Sequence, residues 1–150
     1  MRFHDILMTA ATQTEAAAGA ALPVILNGTF TGSDNWTDVD TGGTADAILT
    51  GTNLLFVGGT NAAGNYVEQS ITGLSEGQVI TIQYEIVAGS ETNPPLFTLG
   101  GGTQVAGDAA IGVHTADVTV GASGTNLQIK GSGTAVVTWT MDNISITAVA

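Results

Sequence analysis

Strict alternation of apolar and polar side chains marks the clearest segments of this chain. Between residues 78 and 87 every second residue is apolar, and the apolar set is Ile80, Ile82, Tyr84 and Ile86. Because successive side chains of a β-strand point to opposite faces, this pattern predicts a half-buried antiparallel strand. The same alternation recurs around Val118 and around Trp139, which predicts two further strands of the same kind.

The alternation near the C-terminus contains one interruption. Trp139 and Met141 belong to the apolar face, the pattern shifts at Asp142-Asn143, and Ile144 then resumes the apolar set. A shift of this kind predicts a β-bulge or bend, because an inserted residue moves every following side chain to the opposite face.

Shorter apolar stretches separated by glycine-rich turns predict additional strands. The predicted short strands are Val24–Leu26, Trp36–Val39, Ala45–Thr50, Asn53–Val57, Tyr66–Ile71, Leu96–Leu99 and Leu127–Ile129. Many short strands at this spacing indicate an all-β fold, an antiparallel β-sandwich of the jelly-roll type. The 21 glycines and the low charged fraction of 10% agree with strands and tight turns rather than surface helices.

Residues 1–22 differ from the remainder and are predicted to be an N-terminal arm, with the β-sandwich domain spanning residues 23–150. The arm is alanine-rich, and its apolar residues follow helical spacing, so it is either a short helix or extended. A short isolated helix is marginal in water, so the arm is either disordered or ordered by docking. Its predicted assembly anchors are Phe3, Ile6, Leu7 and Met8.

The charge balance excludes several classes of partner. Lys and Arg total 2 against 13 acidic residues, a formal net charge of −11, and Lys130 is the one basic residue of the predicted domain. Neutralising phosphates requires a basic surface, so we expect no nucleic-acid binding. Attraction to anionic lipid fails for the same reason, and no apolar stretch is long enough to span a membrane. His4 and Asp5 interrupt the N-terminal apolar residues, which argues against a signal peptide.

Motifs at the two ends of the domain suggest a family. Leu26-Asn27-Gly28-Thr29-Phe30, followed by Asn35-Trp36, and the closing run Trp139-Thr140-Met141-Asp142-Asn143-Ile144 occur in this order. Together with the central strands they span residues 24–149 and resemble galactose-binding-like jelly rolls, which include the family 4/9 carbohydrate-binding modules. The resemblance implies a sandwich fold, and it leaves function open because this fold serves many roles.

The resemblance also implies a structural calcium site, for which Asp142 is the candidate metal ligand. The second acidic position of the family is occupied here by Thr31, a poor ligand for a hard cation. We therefore favour a role for Asp142 in the bend of its strand, and we expect no cofactor.

Catalytic motifs are not evident in the sequence. Cysteine is absent, His4 and His114 lie in no metal-ligand spacing, and the acidic residues are scattered singly. His114 is predicted to lie on the surface or at a loop end. The Gly-x-Ser-x-Gly pattern of a nucleophile elbow does not occur. The sequence alone therefore predicts that the chain is not an enzyme.

Sugar binding depends on exposed aromatic rings, and most of the aromatic residues here are predicted to be core. Trp139 and Tyr84 lie on apolar strand faces, whereas Phe30 and Trp36 match family positions that pack inside. Tyr66 shares the outward face of its strand with Glu68, so Tyr66 and Glu68 are the candidate ligand-binding residues.

Two classes of function follow from the sequence. The favoured hypothesis is a structural subunit of a virus particle, made in the host cytoplasm and located in the virion as a capsid decoration, fibre or tail protein. Its partners would be other virion proteins or copies of itself, with glycans as a further possibility. The alternative is a free-standing carbohydrate-binding module or surface adhesin domain, which would be extracellular or at the cell surface.

Overall fold

The computed structural model describes residues 21–59, 64–89, 93–132 and 138–150. These residues form ten β-strands: β1 Thr37–Val39, β2 Asp46–Leu49, β3 Leu54–Val57, β4 Tyr66–Ser70, β5 Val79–Gly89, β6 Pro95–Leu99, β7 Val105–Ala106, β8 Gly112–Thr119, β9 Asn126–Gly131 and β10 Thr138–Val149. Across the described ranges, no helix has the length and apolar character needed to cross a membrane.

The strands form two five-stranded sheets. The first sheet has the order β1-β4-β9-β6-β7, and the second has the order β2-β3-β10-β5-β8. All neighbouring strands within the sheets pair antiparallel. The predicted all-β antiparallel sandwich is therefore confirmed.

The core lies between the two sheets and contains the apolar faces predicted from alternation. The four apolar residues of β5 predicted to face inward are all fully buried: Ile80, Ile82, Tyr84 and Ile86. Phe56 of β3 stacks on Trp139 of β10 with ring centroids 5.3 Å apart, and Tyr84 contacts Phe97 across the sandwich at 5.0 Å. Aromatic pairs at these separations stabilise beyond the area that they bury.

The interruption in β10 is a bulge, as the sequence predicts. The pairing of β10 with β5 shifts register between Asp142 and Ser145, and Asn143 has a φ of 51°. The Asn143 N–H donates to Asp142 Oδ1 at 2.8 Å, and its side-chain amide donates to Glu85 Oε2 at 2.6 Å. These bonds hold a left-handed residue in the strand, and Ile144 returns to the core.

The Asn-Gly-x-Phe motif folds into a loop that closes one side of the core. Asn27 Oδ1 accepts the Thr31 N–H at 2.8 Å, and the Trp36 indole N–H donates to the Asn27 carbonyl at 3.1 Å. A side chain at Gly28 would collide with the Ile144 carbonyl oxygen, so the loop approaches β10 closely only with glycine there. Phe30 and Trp36 are both buried, as predicted.

Two strand predictions are corrected. Val24–Leu26 was predicted as a strand but lies outside both sheets, because the backbone of Leu26 bonds to the Gln69 side chain rather than to a neighbouring strand. The two-residue strand β7 was not predicted, since two residues are too few for a periodic pattern. The predicted arm falls almost entirely outside the described residues.

Candidate functional site

The outward face of the first sheet carries the sequence-predicted ligand-binding residues. Strand β9 pairs with β4 on one side and with β6 on the other, so Tyr66, Lys130 and Leu96 are direct cross-strand neighbours. The adjacent row contains Glu68, Gln128 and Thr98. We call the partly exposed members of these two rows the Tyr66 face: Tyr66, Glu68, Leu96, Gln128 and Lys130.

The two rows of the Tyr66 face differ in chemistry. Gln128 Nε2 donates to Glu68 Oε2 at 3.1 Å, so this carboxylate already has a neutral partner. Thr98, in the same row, is only 8% exposed and is therefore not part of the Tyr66 face. The first row instead combines an aromatic ring, an aliphatic side chain and a cation. The face therefore offers one ring for stacking with charged and amide groups beside it.

Lys130 has an unusual electrostatic environment. Burial lowers the pKa of its ammonium, because removing the charge from water disfavours the protonated form. Among the described residues, His114 Nδ1 lies 3.8 Å from Asp108 Oδ2, and no carboxylate lies within ion-pair distance of Lys130. A lysine in a chain with 13 acidic residues thus lies on this face without a carboxylate partner in the described ranges.

A second candidate surface is an apolar groove at one end of the sandwich. Its volume is about 710 Å³, and we call it the end groove: Ala21, Leu22, Pro23, Val24, Leu26, Ser70, Thr72, Gly73, Gln78 and Val149. Leu22, Val24 and Leu26 are 44%, 66% and 52% exposed. Three adjacent exposed aliphatic residues form a patch of the kind that marks an interaction site in soluble proteins.

One buried side chain from β4 holds the wall of the end groove in place. Gln69 is 5% exposed, and its Oε1 accepts the Leu26 N–H at 2.7 Å. Its Nε2 donates to the carbonyls of Leu26 at 2.8 Å and Asn35 at 3.0 Å. The side-chain amide thus satisfies backbone groups that no strand pairing satisfies, and it anchors the end of segment 21–26 at Leu26.

The remaining sequence-predicted site residues are distributed as follows. Phe3, Ile6, Leu7 and Met8 lie outside the described residues. Asp142 contributes to the bulge, and within the described ranges no three His, Asp or Glu side chains are placed to share a metal ion. The calcium candidacy of Asp142 stays a prediction.

The prediction for His114 is wrong in its placement. His114 lies within β8 rather than at a loop end, and its side chain is 18% exposed. Its ring lies 5.7 Å from that of Tyr84, and its Nε2 is 2.6 Å from the Ala110 carbonyl oxygen. The Tyr84 hydroxyl donates to the Asp108 carbonyl at 3.0 Å, and burial raises the pKa of this tyrosine. These contacts fasten the segment before β8 to the core.

Sequence analysis did not connect several residues with these two candidate surfaces. Alternation along β9 would have placed Gln128 and Lys130 on one face, but it cannot show that β4 is the neighbouring strand. The apolar residues Leu22, Val24 and Leu26 were divided between an arm and a predicted strand. The backbone of Leu26 is held by Gln69, which is 43 residues away in sequence.

Comparisons with known proteins give matches among solved structures only. No family model matches the chain, and no curated protein sequence matches it. The crystal structure of the enzymatically active domain of tailspike protein 4 from bacteriophage CBA120 is similar at 15% identity and a TM-score of 0.47. The match covers 79% of this chain and 20% of the tailspike chain. The resemblance to family 4/9 carbohydrate-binding modules stays a prediction.

The comparison corrects one conclusion drawn from the sequence. The chain was predicted not to be an enzyme, whereas one similar structure is described as an enzymatically active domain. The prediction that the chain is not an enzyme is therefore withdrawn, and neither a catalytic nor a non-catalytic role is assigned.

Proposed function

We propose that the chain is a subunit of a bacteriophage particle, located in the virion as a tail, fibre or capsid-decoration protein, and that subunits associate through the end groove. The observation that supports this proposal is the cluster of exposed aliphatic side chains at Leu22, Val24 and Leu26. The net negative charge of the chain favours solubility. Exposed aliphatic side chains lower solubility, so their clustering at one place favours a contact surface.

The occupant of the end groove in this proposal is the N-terminal arm of a second copy. Residues 1–20 lead into the groove wall at Ala21 and contain Phe3, Ile6, Leu7 and Met8. Burial of these side chains contributes about 1.5–3 kcal/mol each before ordering costs are subtracted. The 12 residues between Met8 and Ala21 reach at most about 40 Å when fully extended, which is enough to bridge adjoining subunits.

Substitution within the end groove tests this proposal. The double variant Val24→Thr and Leu26→Ser is expected to reduce self-association at least about tenfold, because it removes apolar area from an exposed contact surface. Thermal stability should change little, since both side chains are more than half exposed. Sedimentation velocity over a range of concentrations measures the association.

The matched control replaces two exposed aliphatic residues elsewhere: Ile111, which directly precedes β8 and is 69% exposed, and Val113, which lies on β8 and is 61% exposed. Ile111→Ser with Val113→Thr should leave association unchanged. Equal loss in both double variants would indicate a general effect of surface hydrophobicity. No loss in the groove variant would contradict the assignment of the groove as the contact.

A second candidate function is glycan binding on the Tyr66 face. It is favoured by the placement of a partly exposed aromatic ring beside a carboxylate, an amide and a cation on two neighbouring strands. Sugar rings present apolar faces that stack on an aromatic side chain, and their hydroxyl groups need hydrogen-bonding partners at the ring edge. Glycan binding is compatible with a particle subunit, because the Tyr66 face and the end groove consist of different residues.

For this second candidate, Tyr66→Ala is expected to abolish the signal on a glycan array without lowering the melting temperature. Tyr66→Phe should retain most of the signal, because the ring that stacks is preserved. Absence of any glycan signal from the wild-type protein would remove this function. Unfolding of Tyr66→Ala would show that the ring is required for the fold.

A further inference from the structure

We propose that the Tyr66 face recognises an anionic glycan, in which a carboxylate or sulfate group of the sugar pairs with Lys130 while the sugar ring stacks on Tyr66. This inference rests on the second candidate function and specifies the class of its ligand. It assigns a role to a residue that the sequence patterns alone did not connect with binding.

The first argument is the isolation of the Lys130 charge. The chain has 13 acidic residues, and Lys130 is the one basic residue after position 22. Pairing with one of these carboxylates would be the simplest way to compensate its partial burial. In the described parts of the chain, however, Lys130 has no ion pair, and Glu68 in the adjacent row is hydrogen-bonded to Gln128 instead.

The second argument is the position of Lys130 between two apolar neighbours. Tyr66 and Leu96 lie directly opposite it on the strands to either side. Apolar neighbours cover the aliphatic stem of a lysine and leave its ammonium group at the tip. Burial lowers the pKa of this ammonium, so the protein does not fully compensate its charge, and a bound anion would do so.

The third argument concerns distance. Side chains directly opposite each other on antiparallel strands have Cβ atoms about 4.5–5.5 Å apart. A hexose ring centred over Tyr66 would therefore bring a carboxylate or sulfate on its edge close to the Lys130 ammonium. Charge-assisted hydrogen bonds of this type are stronger than neutral ones and would favour a charged sugar over its neutral counterpart.

The net charge of −11 sets the conditions for the test. At low ionic strength the protein as a whole repels an anionic polymer, whereas at about 0.15 M salt the screening length falls to about 8 Å. Contacts at Lys130 are shorter than this length and persist. Binding should therefore be measured near physiological salt rather than at the low salt commonly used for charged ligands.

Two matched pairs of polysaccharides test the inference by affinity electrophoresis of the full chain. Polygalacturonate is compared with its methyl-esterified form, and dextran sulfate with unmodified dextran. We expect retardation by at least one anionic member and little by its neutral counterpart. Lys130→Gln should weaken that binding at least about tenfold, whereas Lys130→Arg should retain it because the charge is preserved. Melting temperatures verify that both variants fold.

The outcomes separate the inference from the function on which it rests. Equal binding to charged and neutral members, unaffected by Lys130→Gln, would overturn the anionic specificity and leave glycan binding intact. Retardation by the neutral polysaccharides alone would also overturn the anionic specificity while leaving glycan binding intact. Retardation by none of the four polysaccharides, together with an empty glycan array, would overturn both. Binding to either anion that survives Lys130→Gln would exclude Lys130 as the recognition group.

Discussion

Deletion of residues 1–20 is expected to abolish self-association and to leave the melting temperature of the domain nearly unchanged. Among the described residues, the largest fully buried side chains all lie between Phe30 and Trp139. The deletion also preserves the end groove, whose wall begins at Ala21. The loss should therefore be confined to contacts between subunits.

Sedimentation equilibrium and thermal melting of the full and shortened chains measure these two effects separately. A full-length variant with Phe3, Ile6, Leu7 and Met8 all replaced by serine serves as the control for chain length, and it should behave like the deletion. If the shortened domain unfolds, the arm is an integral part of the sandwich. If association persists in both variants, the arm is dispensable for assembly.

Substitution of Gln69 by leucine is expected to lower the free energy of unfolding by about 2–4 kcal/mol. The change nearly preserves side-chain volume but removes the three hydrogen bonds that Gln69 makes to Leu26 and Asn35. Loss of a partner costs about 1–3 kcal/mol for each polar group left unsatisfied in a buried position. Because Gln69 also fixes the groove wall, self-association should weaken as well.

Urea denaturation of Gln69→Leu measures the loss through the transition midpoint at an unchanged slope. Gln128→Leu is a suitable control, since Gln128 lies on the outward face of the same sheet and has one side-chain bond, to Glu68. Its effect should remain within about 0.5 kcal/mol. Equal stability of Gln69→Leu and the wild type would mean that segment 21–26 is held by other contacts.

The fold was predictable where a strand is long enough to show its period. The alternation in β5 and β10 predicted the buried faces, and the shift at Asp142-Asn143 predicted the bulge. Val24–Leu26 was assigned wrongly because a short apolar run does not show whether its backbone bonds to a strand or to a side chain. Gln69 supplies those bonds here, and no local pattern reveals its distant partner.

The candidate sites were predictable only in part, for a related reason. Alternation placed Tyr66 and Glu68 on one side of β4, and it could have done the same for Lys130 on β9. Their proximity depends on the pairing of strands separated by about 60 residues, which local periodicity does not determine. The end groove likewise combines residues 21–26 with Gly73 and Val149, three segments that only the folded chain brings together.

Cross-linking between isotopically distinct copies tests the association of arm and groove most directly. A photoreactive amino acid is introduced at Leu7, nitrogen-15-labelled and unlabelled chains are mixed, and cross-linked peptides are identified by mass spectrometry. The account predicts mixed-isotope pairs that join position 7 to groove peptides containing residues 22–26 or Val149. Groove cross-links that occur only within a single isotopic type, with no mixed pairs, would contradict it, as would cross-links confined to other surfaces.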